Sequence, residues 1–454
     1  MRYYTEPERK IPAREYDAVI AGGGTGGVLA AVAAARNGAK TALIESKGYA
    51  GGIVTEGGTA IHSFFNLWKA FPGVEKRQVV RGIPQEIVDR LAEYGGTTGH
   101  AEMTVGYDYD SICTAVDTEV YKHVCFEILR ESGVDIFVNT MLVGAAVEGK
   151  AVGCAIMESR AGREAFFAKS FVDATGYGDL CAHAGAEYTE PNDYPVANGM
   201  GVGGVDVEKY HKWFAESGAL TQYSEGLRDG RPGKIVRVDG DFRKVSREFA
   251  EEAAKIGMSP VITTTRDDYF MFVKINYVMQ SSPTGRDALT QAEIELRRRQ
   301  MKAVELLRRY VPGCEGAFIA RTSPSVAIRR GRCVACDFDI PHEDILNGVH
   351  YEDDVFTYGF HDSAPRFQIK NGGTYGIPYR ALCVRGFDNL YAIGMMITSD
   401  HDAHMSTRNT VACMGQGQAA GTAAALCAQS GVGVRELEYK VLREALVKGG
   451  VYLE

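Results

Sequence analysis

Residues 16–45 constrain this chain more than any other stretch, because they read as strand, turn, helix and strand in one unbroken unit. Tyr16–Ala21 (YDAVIA) is a short apolar run of the kind buried in parallel sheets. It is followed by Gly22-Gly23-Gly24-Thr25-Gly26-Gly27, which matches G-x-G-x-x-G. Then come the alanine-rich VLAAVAAARNG, ending at Gly38, and TALIE, ending at Glu45. In such a turn Gly22 permits the sharp bend, Gly24 lets a pyrophosphate approach the backbone, and Gly27 lets the helix pack on the strand. The helix N-terminus offers its first N–H groups and the positive end of its dipole to phosphates. Glu45 stands 23 residues beyond Gly22, near the ~20 expected of a carboxylate that binds a ribose 2′-hydroxyl. An acid there points to FAD or NAD rather than NADP, without choosing between the two.

The pattern recurs at Gly199–Gly204 (GMGVGG), but after NDYPVA rather than an apolar strand, and with no amphipathic helix behind it. We read this copy as a flexible loop and expect no separate NAD(P)H domain. The segment from Thr118 predicts a helix (TEVYKHVCFEILRESG) and a strand (VDIFVNT). Three strands of a β-meander follow: LVGAAVEG, AVGCAIMES and AFFAKSFVDA. Residues from about 190 to 375 lose this rhythm and carry polar helices such as DALTQAEIELRRRQMKAVELLRRY. Strand and helix return with FDNLYAIGM and GQGQAAGTAAALCAQSG. A chain of 454 residues exceeds the ~250–300 at which single cores stop growing. The expected architecture is therefore α/β, with a doubly wound Rossmann-like domain and β-meander at 1–190 and 376–454. An α+β substrate domain is inserted at 191–375.

Charge and cysteine usage narrow the partners. The net charge of −8 argues against nucleic acid or an anionic membrane, both of which need a basic surface. No apolar run reaches the ~18 residues of a membrane helix, and the polar N-terminus lacks an apolar targeting core. The ten cysteines are scattered rather than spaced as a disulfide framework, so a reducing cytoplasm is the default. Cys333 and Cys336 form a lone CxxC; with no second pair, it suits neither zinc nor an iron–sulfur cluster.

Several further segments carry a resemblance. They are ESKGYAGGIVTEGG after the second strand, DATGYGD at 173–179, GTYGIPYRAL at 373–382, FDNLYAIGM at 387–395 and GQGQAAGTAAAL at 415–426. In this order they resemble the FAD-dependent oxidoreductases with a glutathione-reductase-type flavin fold. The likeness is to an uncharacterised branch distantly akin to fumarate reductase flavoproteins. It spans nearly the whole chain, including RTSPSVAIRRGRCVACDFDI, and implies FAD as cofactor. It places Gly22, Gly24, Thr25, Gly26 and Gly27 at the pyrophosphate, Glu45 and Ser46 at the adenosine ribose, and Gly51, Gly52 and Thr55 along the ribityl chain. Ala174, Thr175, Gly176 and Asp179 would flank the nucleotide, while Gly394, Gly415 and Gln418 would serve the flavin, with the last helix starting near Gly415. Tyr177 stands where the family often has Asp, and Met395 where it commonly has Arg. No cysteine pair follows the first flavin motif, which excludes disulfide-reductase chemistry.

For the reacting face, His401 and His404 in SDHDAHMSTRN are candidates for proton transfer, since histidine titrates near working pH. Arg329, Arg330 and Arg332 suit a carboxylate or other anion, because guanidinium forks bind such groups in bidentate fashion. Strand alternation would send Arg330 and Arg332 to one face and Arg329 to the other. His361, Tyr375, Tyr379 and Arg380 are weaker candidates, and His62 is a candidate covalent anchor. The expected reaction is hydride transfer between flavin N5 and a small polar metabolite, such as a hydroxy acid, an unsaturated acid or a sugar-like alcohol. A second redox partner would reset the flavin, and a homodimer is common for such folds. An electron-transfer subunit acting with partner proteins is the alternative, and an RNA-modifying flavoprotein a more distant one.

Overall fold

The computed structural model describes residues 2–56, 74–106, 111–360 and 368–454. His62 and His361 lie outside the described residues.

The opening unit folds as its pattern dictates. Strand β1 (Ala13–Ala21) is buried along its second half, helix α1 (Thr25–Arg36) follows, and strand β2 (Thr41–Ile44) is buried throughout. β1 pairs in parallel with β2 on one side and with Gly162–Asp173 on the other. The parallel block extends to Asp135–Phe137 beyond β2 and to Leu390–Ala392 beside Gly162–Asp173. The meander strands Met141–Glu148 and Ala151–Ser159 complete this seven-stranded sheet in antiparallel fashion. Crossovers run through α1 and through helix Thr118–Glu131, whose N-cap Asp117 accepts from the backbone N–H of Glu119 and Val120.

The long helix Thr410–Ser430 packs lengthwise on α1. Glycine and alanine make this possible. A Cβ on Gly417 would lie 2.1 Å from Gly26 O, and one on Gly421 2.0 Å from Ala30 O. The run GQGQAAGTAAAL is thus a close-packing face. Its helix begins at Thr410, five residues before the start expected at Gly415.

A second, wholly antiparallel sheet of eight strands lies apart from the first. Its order is Phe318–Thr322, Val196–Gly203, Tyr269–Tyr277, Met258–Thr263, Arg231–Gly240, Leu220–Arg228, Ala101–Val105, Ile112–Cys113. One face is covered by helices Val207–Glu216, Arg247–Lys255 and Arg286–Tyr310, through Tyr210, Phe214, Phe249 and Leu296. Ala101–Val105 joins this sheet from the first part of the chain, whereas Val355, Tyr358 and Tyr375 pack into the first core.

The Gly199–Gly204 segment corrects the sequence reading. It is not a loop: Val196–Gly203 is a fully buried strand inside the second sheet. Its glycines answer to crossing aromatics, since a Cβ on Gly201 would sit 2.0 Å from the Tyr269 hydroxyl and one on Gly203 2.6 Å from Phe318. The repeated pattern therefore has a packing cause. Among the described residues, no helix is long and apolar enough to cross a membrane.

Candidate active site

A cavity of about 970 Å³ opens outside the C-terminal ends of the parallel strands and reaches the uncovered face of the second sheet. That volume is at the upper end of the ~300–1,000 Å³ of small-molecule and cofactor sites. The position is also where open α/β sheets bind ligands. Ala21, Ile44 and Ala174 mark the strand ends, and Gly22, Gly24, Thr25, Gly26, Glu45, Ser46 and Gly52 line the nearby wall.

Backbone geometry builds this wall. Gly22 turns at φ +99°, with its N–H donating to Ile44 O at 2.8 Å. Gly27 faces away from the cavity, where a Cβ would lie 1.9 Å from Gly22 O, so it sets the helix–strand approach as expected. At Gly24 the backbone is ordinary (φ −71°), and a Cβ would meet no protein atom closer than 3.6 Å. The protein's own packing therefore does not demand glycine there; a side chain would instead fill the cavity. The Glu45 carboxylate is buried and accepts from Gly23 N (2.8 Å), Lys47 N (2.7 Å) and Ser46 Oγ (3.1 Å). Behind the wall, Gly51 N donates to Gly23 O, Thr25 Oγ1 to Gly51 O and Thr55 Oγ1 to Gly52 O. Gly51 and Thr55 thus hold Gly52 in place and do not themselves line the cavity.

The DATGYGD segment is organised by Asp173. Its buried carboxylate accepts from Thr175 N and Oγ1 and from Cys181 N. Thr175, Gly176, Tyr177 and Asp179 then face the cavity. On the far side the helix Thr410–Ser430 begins: Asn409, Thr410 and Cys413 line the cavity, beside Gly394 and Met395. Both α1 and this helix carry no acidic residue in the first turn and no side-chain cap hydrogen bond. Two positive helix ends thus bound one cavity, an arrangement suited to an anionic ligand. The glycine cradle, buried Glu45 and paired helix ends fit a dinucleotide.

Comparison with known proteins decides which one. The model of the FAD dependent oxidoreductase family matches residues 17–446. The chain belongs to this family. FAD is its cofactor, and it is an oxidoreductase. Over 292 residues it is 25% identical to a dihydrolipoyl dehydrogenase of Acholeplasma laidlawii, covering 62% of this chain and 70% of that one. Among solved structures it resembles a geranylgeranyl bacteriochlorophyll reductase-like protein of Thermoplasma acidophilum (14% identity, TM-score 0.51, 97% of this chain and 85% of that). It also resembles a myxobacterial FAD-dependent chondrochloren halogenase (12%, TM-score 0.52, 95% and 78%). These structural likenesses establish the α/β flavoenzyme fold.

Within this family member, several expected site residues prove to be elsewhere. Gly415 packs against Phe356, whose ring would lie 2.2 Å from an added Cβ. Gln418 accepts from Ile83 N (3.1 Å) and donates to Gly449 O (2.8 Å), pinning helix Ile83–Glu93. Neither lines the cavity. The neighbouring glutamine serves instead: Gln416 Oε1 accepts from Gly394 N (2.7 Å), and its Nε2 donates to Thr407 O (2.8 Å). The two glutamines are two residues apart on a helix and so point to different sides, a distinction the GQGQ motif alone hides.

The arginine run is not a strand, so alternation fails. Arg329 and Arg332 both line the cavity, whereas Arg330 is buried away from it. Arg330 pairs with Asp193 (2.8 Å), donates to Thr398 O (2.9 Å) and Ser399 O, and lies 3.1 Å from Cys333 Sγ. It ties three chain segments together and is structural. Arg332 is held by Asp179 (2.8 Å) and Tyr177 O (2.9 Å). Arg329 donates to Pro195 O and to Asn276 Oδ1.

Neither candidate histidine lines the cavity. His401 is exposed beside Asp193 (3.0 Å), stacked on Tyr194 at 4.4 Å, and does not line the cavity. His404 is buried, with Nε2 donating to Met395 O at 3.0 Å, and burial pushes its pKa well below the ordinary value. It is a neutral prop for the Met395 turn. Tyr375 bonds Ser406 (2.6 Å), Tyr379 bonds Tyr391 (2.7 Å) and Arg380 bonds Asp353; all three serve packing.

What sequence reading missed is the sheet side. Gln222, Arg237, Asp239, Val261, Phe272 and Lys274 line the cavity from four strands of the second sheet. Gln222 lies opposite Asp239, and Arg237, Thr263 and Phe272 share one cross-strand row. Arg237 Nε and Nη2 donate to Gln222 Oε1 at 3.0 and 2.6 Å. The only sequence signal is the spacing Arg237-x-Asp239 and Phe272-x-Lys274, which puts each pair on one face of a strand.

Proposed function

We propose that this enzyme transfers a hydride between a small polar metabolite and N5 of the flavin, with a second redox partner completing the cycle. The metabolite would be a hydroxy acid, an unsaturated acid or a sugar-like alcohol. The observation that carries the reading is a single cavity with a dinucleotide cradle at one end and charged side chains at the other. Bound FAD supplies two-electron acceptor and donor chemistry. The chain supplies everything else. We assign the Gly22–Gly27 turn and the α1 N-terminus to the pyrophosphate, Glu45 and Ser46 to the adenosine ribose, and Gly52 to the adjoining chain. Ala174, Thr175, Gly176 and Asp179 flank the nucleotide. Gly394, held by Gln416, and the N-terminus of Thr410–Ser430 face the ring system, where a positive helix end favours negative charge. The functional division follows the two sheets, with the first core carrying the cofactor and the open face of the second sheet meeting the metabolite. Arg329 and Arg332 stand at the junction as anion contacts.

An absorbance spectrum of the purified protein before and after acid precipitation tests this reading, followed by anaerobic bleaching with a metabolite panel. Flavin bands released to the supernatant and bleached by one small polar compound are expected. A panel of such compounds that leaves bound flavin oxidised, while a protein or a large apolar compound reduces it, would remove the substrate assignment.

A further inference from the structure

The charged side chains of the cavity are not balanced. Among the described residues, seven cationic groups line it (Lys47, Arg237, Lys274, Arg286, Arg329, Arg332 and Arg408) against four acids (Glu45, Asp179, Asp239 and Glu293). This excess of three positive charges occurs in a chain whose net charge is −8. The pyrophosphate of FAD offsets two of the three, which leaves positive charge for a further anion. The surplus is not all at the cofactor wall: Arg237 shares a strand of the second sheet with Asp239, and Lys274 stands two strands away in the same sheet.

The sheet holds these groups in a fixed pattern. Arg237 and Asp239 are two residues apart on Arg231–Gly240 and project to the same face. Phe272 is in the cross-strand row of Arg237, and Lys274 is two residues further along the same strand. Gln222 Oε1 accepts from both Nε and Nη2 of Arg237, which fixes the guanidinium plane. Asp239 is anchored by Gly240 N at 2.9 Å. Val261 and Phe272 complete the surface with apolar area. A held guanidinium, a lysine on the same sheet, one carboxylate and an apolar floor match a short carbon skeleton that bears both an anion and a hydroxyl.

We propose that this sheet face is the substrate site and takes a small 2-hydroxycarboxylate. Arg237 and Lys274 hold the carboxylate, and Asp239 accepts the hydroxyl proton. The assignment rests on the hydride-transfer reading above and narrows its substrate class. In the reaction the C–H bond at the hydroxyl-bearing carbon breaks, and its electron pair leaves as hydride to FAD. The O–H bond gives its proton to the Asp239 carboxylate, and a C=O bond forms. The carbon is oxidised by two electrons and FAD is reduced by two. Burial raises the Asp239 carboxyl above the usual range while Arg237 and Lys274 oppose the shift, which suits a base that must both take and release a proton. Tyr210 acts on it from the helix behind the sheet, and Arg286, Glu293 and Arg329 line the same cavity.

The test uses the FAD-loaded enzyme with glycolate, lactate and malate, their neutral amides, and oxalate, a dianion with no C–H bond to break. The acids should bleach the flavin anaerobically and the amides should not. Oxalate should bind the wild type by calorimetry, and Lys274→Met should raise its Kd about 10- to 100-fold. Arg237→Lys, which keeps a charge, should do so less. Asp239→Asn should keep oxalate binding but slow bleaching by roughly 10²–10⁴-fold and erase the rise of kcat/KM with pH. Equal bleaching by acids and amides, unchanged oxalate affinity in Lys274→Met, or an unaltered pH profile in Asp239→Asn would each overturn the assignment. Turnover of an uncharged sugar alcohol alone would also overturn it while leaving the flavin hydride reading intact. Bound flavin that no metabolite class bleaches would remove both.

Discussion

At the turn end of the cavity the groups offered to a ligand are mostly backbone, at Gly22, Gly24 and Gly52 and at two helix N-termini. At the sheet end they are side chains, carried on strands far apart in sequence: Gln222, Arg237 and Asp239, then Phe272 and Lys274. The contrast separates two ways of binding. Backbone donors are fixed by the fold, so the cofactor end tolerates changes of side chain but not of chain path. Side-chain donors on a sheet can change singly while the scaffold stays, so that end can set specificity within a family sharing one cofactor.

The largest effect is expected from altering the chain path at the turn. Gly27→Val would place side-chain atoms where even a Cβ lies 1.9 Å from Gly22 O and 3.0 Å from the Ala174 methyl. Backbone cannot yield there without moving α1 off β1. A loss of ~3 kcal/mol or more is expected, together with loss of bound flavin. Denaturant melts and the flavin content of the purified variant measure both. Wild-type stability with full flavin content would show that the turn is not held by close packing.

A smaller effect is expected at Glu45, the acidic side chain that the turn itself engages. Its carboxylate joins the turn to the end of β2 through Gly23, Ser46 and Lys47. Glu45→Gln keeps the shape but removes the charge from three short hydrogen bonds. Hydrogen bonds to charged groups contribute ~1.5–3 kcal/mol, so FAD affinity should fall about 10- to 100-fold. Reconstitution of the apoprotein, followed by flavin fluorescence, reads this directly. An unchanged Kd would mean that the backbone alone carries the nucleotide.

The same contrast explains what could be read from sequence. The cradle was legible because each glycine has a backbone reason and the spacing between them is fixed by one turn and one helix. The motif also misled. Gly199–Gly204 repeats it for the sake of Tyr269 and Phe318, partners that no local pattern names. Gln418 was read in place of Gln416 because helix phase depends on where the helix starts, and Thr410 rather than Gly415 starts it. The sheet face stayed hidden for a deeper reason. Arg237 meets Phe272 only through the pairing of three antiparallel strands, and register is a tertiary fact. Arg330 looked like a ligand contact because a guanidinium suits an anion; its anion is Asp193 of the same chain.

The least of these effects tests whether proton chemistry belongs to the sheet end rather than to the start of the Thr410–Ser430 helix. His404 is buried, and burial, with Arg408 and Arg330 nearby, holds its folded pKa well below the ~6.5 of an unfolded chain. Between those values the unfolded chain binds the extra proton. The contribution of His404 is therefore fully present above pH ~6.5 and is lost as pH falls below it, by up to about 1.4 kcal/mol per pH unit. His100, which burial lowers to about 4, acts in the same direction, so the informative quantity is the wild type minus His404→Gln. In urea melts at pH 7, 6 and 5 the wild type should lose stability faster than the variant. The pH profile of substrate oxidation should meanwhile be the same in both, because a histidine kept neutral under Met395 O moves no proton. Parallel stability curves with an altered rate profile would place His404 in the reaction and move proton transfer to the helix end.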